Sequence, residues 1–334
     1  MKKKSEKKIK RTTTVCLSHK EDADGICSAA LIKAIFGGDS ILVDYHGQMD
    51  TLEKLKHDKT LKKLFICDLG LNKKNQDVFI EIMAELKNNG ISITYIDHHD
   101  ASVSVITRLT KLKINVIHDI KECTTVQVYD KYKRKLSGHF RFLAACASIT
   151  DYMDDRKKAS QLLQIYDRQF TLINATVLTY NIVGHQKDPD YLLYLVDELS
   201  NSKYPHQIPN SFELAQIQVE KLSLMIDKIK KNMKKMSNLG YVEIFDSGAS
   251  GAVNFVLGLS GKNVGVAYKE RSEHGAYAVS IRGSKSCKFH LGRITNNIAS
   301  KCGGSGGGHK NACGAVIPKS KIKKFLRELN RKLV

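Results

Sequence analysis

Residues 91–100, ISITYIDHHD, set a short β-branched, apolar run directly against four ionisable side chains, Asp97, His98, His99 and Asp100. A run this short reads as a buried strand. Two upstream stretches have the same form. TTTVCLS at 12–18 leads into His19-Lys20-Glu21-Asp22-Ala23-Asp24-Gly25, and LFICD at 64–68 ends in Asp68 before Leu69-Gly70. ILVDY at 41–45 and INVIHD at 114–119 read as further strands, and 25–36, 49–57 and 73–88 as helices. Alternating short apolar strands and helices predict an α/β domain with a parallel sheet covered on both faces. In such a sheet function gathers beyond the carboxyl ends of the strands, which is where these ionisable residues fall.

Farther along, 122–183 reads as mostly helical and closes the first domain. Residues 184–210 hold three of the four prolines and read as a linker with a short helix. Asn210 and Glu213 fit an N-terminal capping pair, and Val219, Leu222, Ile226, Ile229, Met233 and Met236 form one apolar stripe, so a long connecting helix is expected. From 240 onward YVEIF, NVGVAY and AYAVSIR read as strands, with helices at 250–259, 291–301 and 319–332. The expected division is a basic tail at 1–11, a first domain at 12–183, linker and connecting helix at 184–238, and a smaller α/β domain at 239–334. GGSGGGH at 303–309 is the one low-complexity run.

Composition limits the function classes. With 334 residues, 42% hydrophobic and 26% charged, the chain can bury two ordinary cores, which excludes global disorder. No run of 18 apolar residues is present, so no membrane partner is expected, and MKKKSEKKIKR lacks the apolar region of a secretory signal. The formal charge is +20, and residues 1–11 and 319–334 each carry seven Lys or Arg and one Glu. Such ends suit a polyanionic partner or are simply solvated. Eight cysteines, none in a CxxC pair, point to a reduced, cytoplasmic protein and away from a zinc knuckle.

Beyond the strands lie Asp22, Asp24, Asp68 and Asp97 with His19, His98 and His99, and the helical run FLAACASIT ends at Asp151. Taken singly, an Asp at a strand end caps a helix. Together, so many carboxylates need a countercharge. Carboxylate oxygen and imidazole nitrogen without thiolate suit Mn²⁺ or Mg²⁺. The ligand number fits two ions, about 3.5–4 Å apart, of the kind that activate water and neutralise a phosphoryl group.

These residues resemble the motifs of the DHH phosphoesterase superfamily. Asp97-His98-His99 matches its signature, His19…Asp22-Ala23-Asp24-Gly25 its first motif, Asp68 its second and Asp151 its fourth. Gly306-Gly307-Gly308-His309-Lys310-Asn311-Ala312-Cys313-Gly314 resembles the GGGH motif of a DHHA1 substrate-binding domain, and Ser280-Ile281-Arg282 its arginine-bearing strand. The resemblance, to RecJ-like exonucleases and nanoRNase-like proteins, runs from about 12 to 318. It implies that His19, Asp22 and Asp68 hold one metal and that Asp24, Asp68, His98 and Asp151 hold the other. Asp97 would ligate or orient, and His99 would face the substrate phosphate. Arg282, Gly306, Gly307, Gly308 and His309 would bind substrate. The implied activity is two-metal (Mn²⁺ or Mg²⁺) hydrolysis of single-stranded DNA or RNA, or of short oligonucleotides, from an end; a homodimer is compatible with it. The alternatives are a phosphodiesterase of cyclic dinucleotides or nucleoside bisphosphates, and a non-catalytic nucleic-acid-binding subunit.

Overall fold

A computed structural model describes residues 13–71, 75–245, 249–271 and 275–334. The basic stretch 1–11 and His274 lie outside them. The chain divides into two compact units between Gln218 and Val219.

The first unit alternates strand and helix: β1 (Thr14–His19), α1 (Ala23–Phe36), β2 (Asp39–Val43), α2 (Gly47–Lys56), β3 (Lys63–Cys67), α3 (Gln76–Asn88), β4 (Ser92–Asp97), α4 (Val103–Lys111) and β5 (Asn115–His118). All pairings are parallel, in the order β2-β1-β3-β4-β5. Helices α5 (Thr124–Tyr132), α6 (Gly138–Thr150), α7 (Lys157–Leu163), α8 (Arg168–Gly184) and α9 (Pro189–Ser200) follow. One face of the sheet buries Cys16, Phe65 and Ile96 with α1, α5 and α6; the other buries Leu17, Leu64, Ile66 and Tyr95 with α2, α3 and α4. This alternation along each strand is the two-residue period of β structure.

Two differences from the sequence reading have clear physical causes. Helix α4 is absent from that reading because VSVITRLTK is rich in β-branched residues. Ser102 starts it by accepting the N–H of Val105 at 3.3 Å, and Val105 and Leu109 are buried. The stretch 184–210, expected to be a linker with a short helix, holds the helix α9, and the difference is that α9 packs into the first core. Asp188 caps it at the N–H of Tyr191, Pro189 sits in its first turn, and Leu192, Leu195, Val196 and Leu199 lie in the first core. Proline there opens a helix rather than breaking one.

Helix α10 (Ser211–Asn232) leads to β6 (Lys234–Lys235), β7 (Leu239–Glu243), α11 (Ala249–Ser260), β8 (Val264–Arg271), β9 (Ala276–Gly283), α12 (Leu291–Lys301), β10 (Ser305–Gly308), β11 (Ala312–Pro318) and α13 (Ile322–Lys332). The second sheet is mixed, in the order β10-β11-β9-β8-β7-β6, with β7 and β8 parallel. The glycine-rich run is thus a strand, antiparallel to β11. Glycine is required where β10 meets α12: a Cβ on Gly292 would stand 1.9 Å from the carbonyl oxygen of Gly308. Helix α13 closes the second core with Ile322, Phe325, Leu326 and Leu329. Among the described residues no helix is long and apolar enough to cross a membrane.

If α9 is a core element, Leu195→Ala should lower unfolding stability by about 2–5 kcal/mol, read from urea unfolding. A loss near zero would return this segment to a linker.

Candidate metal centre

The sheet order reverses at β1, which lies between β2 and β3, and open α/β sheets place their ligand crevice at such a switch point. His19 ends β1, Asp68 follows β3, and Asp97, His98 and His99 end β4. Asp22 is the N-cap of α1, accepting the N–H of Gly25 at 3.0 Å, and Asp24 lies in its first turn. Asp151 is the C-cap of α6.

The side chains meet around His98. Its Nε2 stands 3.4 Å from Asp68 Oδ1, 3.5 Å from Asp151 Oδ2 and 4.0 Å from Asp24 Oδ2. Two overlapping groups have ligand geometry: Asp68 with His98 and His99, and Asp24 with His98 and Asp151. His19 and Asp22 form a neighbouring pair at 3.5 Å, with Glu21 3.9 Å from the same His19 nitrogen. Asp97 stands outside both groups. Its Oδ1 lies 2.8 Å from His99 Nδ1 and its Oδ2 takes the Tyr95 hydroxyl at 2.9 Å, so it orients His99.

The backbone fixes these carboxylates. Asp24 accepts the N–H groups of Thr124 and Thr125 at 2.7 Å each, at the start of α5, where unpaired amides favour an anion. Asp68 has φ 57, a left-handed conformation unusual for a side-chain-bearing residue, while its N–H donates to the Ile96 carbonyl at 3.0 Å. Thr124 Oγ1 donates to Asp68 Oδ1 at 3.2 Å. Gly70 leaves room for the His99 ring, since a Cβ there would stand 2.7 Å from His99 Cγ.

The charge balance is strained. Burial, and then the carboxylates of Asp24, Asp22, Asp151 and Asp97, push the carboxyl of Asp68 well above the ordinary range. Asp151 is pushed the same way by burial and then by Asp24, Asp22 and Asp97. Burial lowers the pKa of His98, so that imidazole contributes little positive charge. For Asp97, burial is outweighed by His99, which holds the carboxyl low; for His99, burial is outweighed by Asp97, which holds the imidazole high. Asp151 Oδ2 and His19 Nδ1 are buried without a hydrogen-bond partner. Unpaired donor atoms beside mutually repelling carboxylates are what a divalent cation would satisfy, so this set fits Mn²⁺ or Mg²⁺.

Of the expected substrate-binding residues, Arg282 lies on β9 opposite Ala312, its Nη1 donating to the Ile281 carbonyl at 3.0 Å and its Nε buried without a partner. Gly306, Gly307 and Gly308 form β10, and the His309 N–H donates to the Ala312 carbonyl at 2.8 Å. Sequence reasoning missed Thr124, Thr125, Tyr95, Gln127 and the part played by His118. Tyr95 was open to detection, since it lies two residues before Asp97 on the same strand face. His118 pairs with Asp97 in the β4–β5 register, and its Nε2 lies 2.7 Å from the His99 carbonyl oxygen. Gln127 Nε2 donates to the carbonyls of Asp97, Asp119 and Glu122. Nothing in the local sequence marks it or the two threonines.

The raised carboxyls of Asp68 and Asp151 give the folded protein more bound protons than the unfolded chain. Their contribution is therefore present below the unfolded value and lost as pH rises through the folded values. In EDTA, Asp151→Asn should gain melting temperature relative to wild type as pH rises above about 4. Excess Mn²⁺ should reverse the order. A difference that ignores pH and metal would contradict the charge balance.

Comparison with known proteins agrees with this geometry. Residues 13–150 match the model of the DHH family, N-terminal domain, and residues 240–334 that of the DHHA1 domain. No curated protein sequence matches the chain. Among the solved structures that share the fold at TM-scores above 0.5 are three that each cover 96% of this chain. The PF0399 DHH domain, from a member of a family of ribosomal proteins, has TM-score 0.68 and 15% identity over 86% of its length. RecJ of Thermus thermophilus, in complex with Mn²⁺, has TM-score 0.61 and 15% identity over 52% of its length. PggH, a pGpG-specific phosphodiesterase of Vibrio cholerae, has TM-score 0.58 and 14% identity over 98% of its length. The chain thus carries a DHH-family N-terminal domain, whose strand ends hold this Asp and His cluster, followed by a DHHA1 domain.

Proposed function

We propose that the protein is a metal-dependent phosphodiesterase that hydrolyses single-stranded nucleic acid or short oligonucleotides, working from an end. The observation that carries this reading is the convergence of the buried Asp24 and Asp68 and the half-buried Asp151 on His98, three carboxylates around an imidazole whose charged form burial disfavours. Asp24, Asp68, His98 and Asp151 would hold metal, with His19 and Asp22 completing the set. When bound, divalent ions in such a site supply positive charge to a phosphoryl group and lower the pKa of water.

The chain's own residues have distinct tasks. Thr124 and Thr125 hold the Asp24 carboxylate in one orientation. Asp97 only accepts, so His99 Nδ1 carries a proton toward it, and a substrate phosphoryl oxygen, which also only accepts, would be bound by a protonated Nε2. Arg282 offers a planar fork, and the glycine strand offers close backbone approach, for a further phosphate.

Charge distribution favours a polymer. Residues 219–334 carry 22 Lys and Arg against 7 Asp and Glu, whereas residues 12–218 carry 25 against 26. Helix α13 shows the pattern locally. Its apolar side is buried, and Lys323, Lys324, Arg327 and Arg331 are exposed. A cationic helix whose apolar side is already used suits a phosphate backbone rather than a lipid surface. A dinucleotide substrate is the second reading, favoured by the likeness to a pGpG-specific phosphodiesterase over 98% of that chain.

With Mn²⁺, end-labelled single strands should be shortened stepwise, and EDTA should abolish this. Asp68→Asn should cost at least about 100-fold in turnover with folding intact. Cleavage confined to dinucleotides would select the second reading, and full activity in EDTA would refute both. Reversing Lys323 and Arg327 to Glu should weaken binding of a 20-mer and reduce its salt slope by roughly 0.7 for each phosphate no longer neutralised. An unchanged slope would remove α13 from polymer binding.

A further inference from the structure

Both ring nitrogens of His99 are occupied. Nδ1 donates to Asp97, and Nε2 lies 2.8 Å from the hydroxyl of Tyr45. A phosphoryl oxygen only accepts, so in the state that binds substrate Nε2 carries a proton, and in that state it donates to the Tyr45 oxygen. The tyrosine ring lies against His19 at 4.7 Å between centroids and meets the His99 ring edge-on at 5.8 Å.

The two partners differ in freedom. His99 is fixed from several sides: by Asp97, by His118 at its carbonyl, and by the close backbone of Gly70. The backbone carrying Tyr45 is also fixed. Asp44 accepts the N–H groups of His46 and Gly47 at 3.1 and 2.8 Å and pairs with Lys20 at 2.9 Å. The Tyr45 side chain itself is 41% exposed, so it can rotate away without opening a core.

We infer that Tyr45 is a latch on His99, its hydroxyl standing where a substrate phosphoryl oxygen must come, so that substrate binds by displacing it. This rests on the phosphodiesterase reading above. Tyr45 is then a positioning residue: it keeps the imidazole aimed while the site is empty and competes with the ligand for one nitrogen. Tyr45→Phe retains the ring against His19 and removes only the competing hydroxyl.

The test is calorimetric binding of a phosphorothioate-linked dinucleotide to the Mg²⁺-loaded protein, in wild type, Tyr45→Phe, His99→Ala and the double variant. Losing a hydrogen bond that the ligand must otherwise break should tighten binding about 2- to 10-fold in Tyr45→Phe. The gain should vanish in the His99→Ala background, because the two residues act through one hydrogen bond. Binding that is unchanged or weaker in Tyr45→Phe, or an equal gain without His99, overturns the latch while leaving the phosphodiesterase reading intact. A wild-type protein that neither binds this dinucleotide nor hydrolyses any phosphodiester removes that reading, and the latch with it.

Discussion

Mutual repulsion among Asp24, Asp68 and the half-buried Asp151, gathered around His98, is the constraint on which the first unit depends. Burial, and then the neighbouring carboxylates, push the carboxyls of Asp68 and Asp151 well above the ordinary range. A fold built only for stability would place apolar side chains there. This one commits its strongest backbone features to holding the charges in place. The amides opening α5 grip Asp24, and Asp68 sits in a left-handed conformation at the end of β3. Strain concentrated at one strand end, beneath a topological switch point, is the physical mark of a site that awaits countercharge.

Around that cluster runs a chain of groups with no metal-binding geometry of their own beyond His99. Tyr45, His99, Asp97 and Tyr95 are linked by successive hydrogen bonds. Asp97 and His99 stabilise each other's charged forms, so the imidazole stays aimed. The second unit is built on another principle. Its mixed sheet packs glycine backbone closely against α12, and its sequence has a large excess of cations. The first unit thus gathers carboxylates at one strand end and the second carries an excess of cations, a division that the proposed activity would use.

Much of this was legible in the sequence because strand period and strand-end chemistry coincide. Three strands carry ionisable side chains at their ends: His19 with Asp24 just beyond it at β1, Asp68 at β3, and the Asp97-His98-His99 run at β4. What was hidden depended on tertiary context. Helix α4 is β-branched and relies on the Ser102 cap and two buried residues. Helix α9 was expected as a short helix in a linker, but its packing into the first core was not. Strand β10 is all glycine and serine, with no side-chain period to read. Thr124, Thr125 and Gln127 act through backbone amides or toward carbonyls about 30 to 100 residues away in sequence, and no local pattern encodes such contacts.

The most direct test of the account is crystallographic: anomalous scattering at the manganese edge from protein soaked in Mn²⁺. The account requires two peaks about 3.5–4 Å apart, within ligand distance of Asp24, Asp68, His98 and Asp151. Strong peaks elsewhere, or none at this cluster under saturating Mn²⁺, would contradict it.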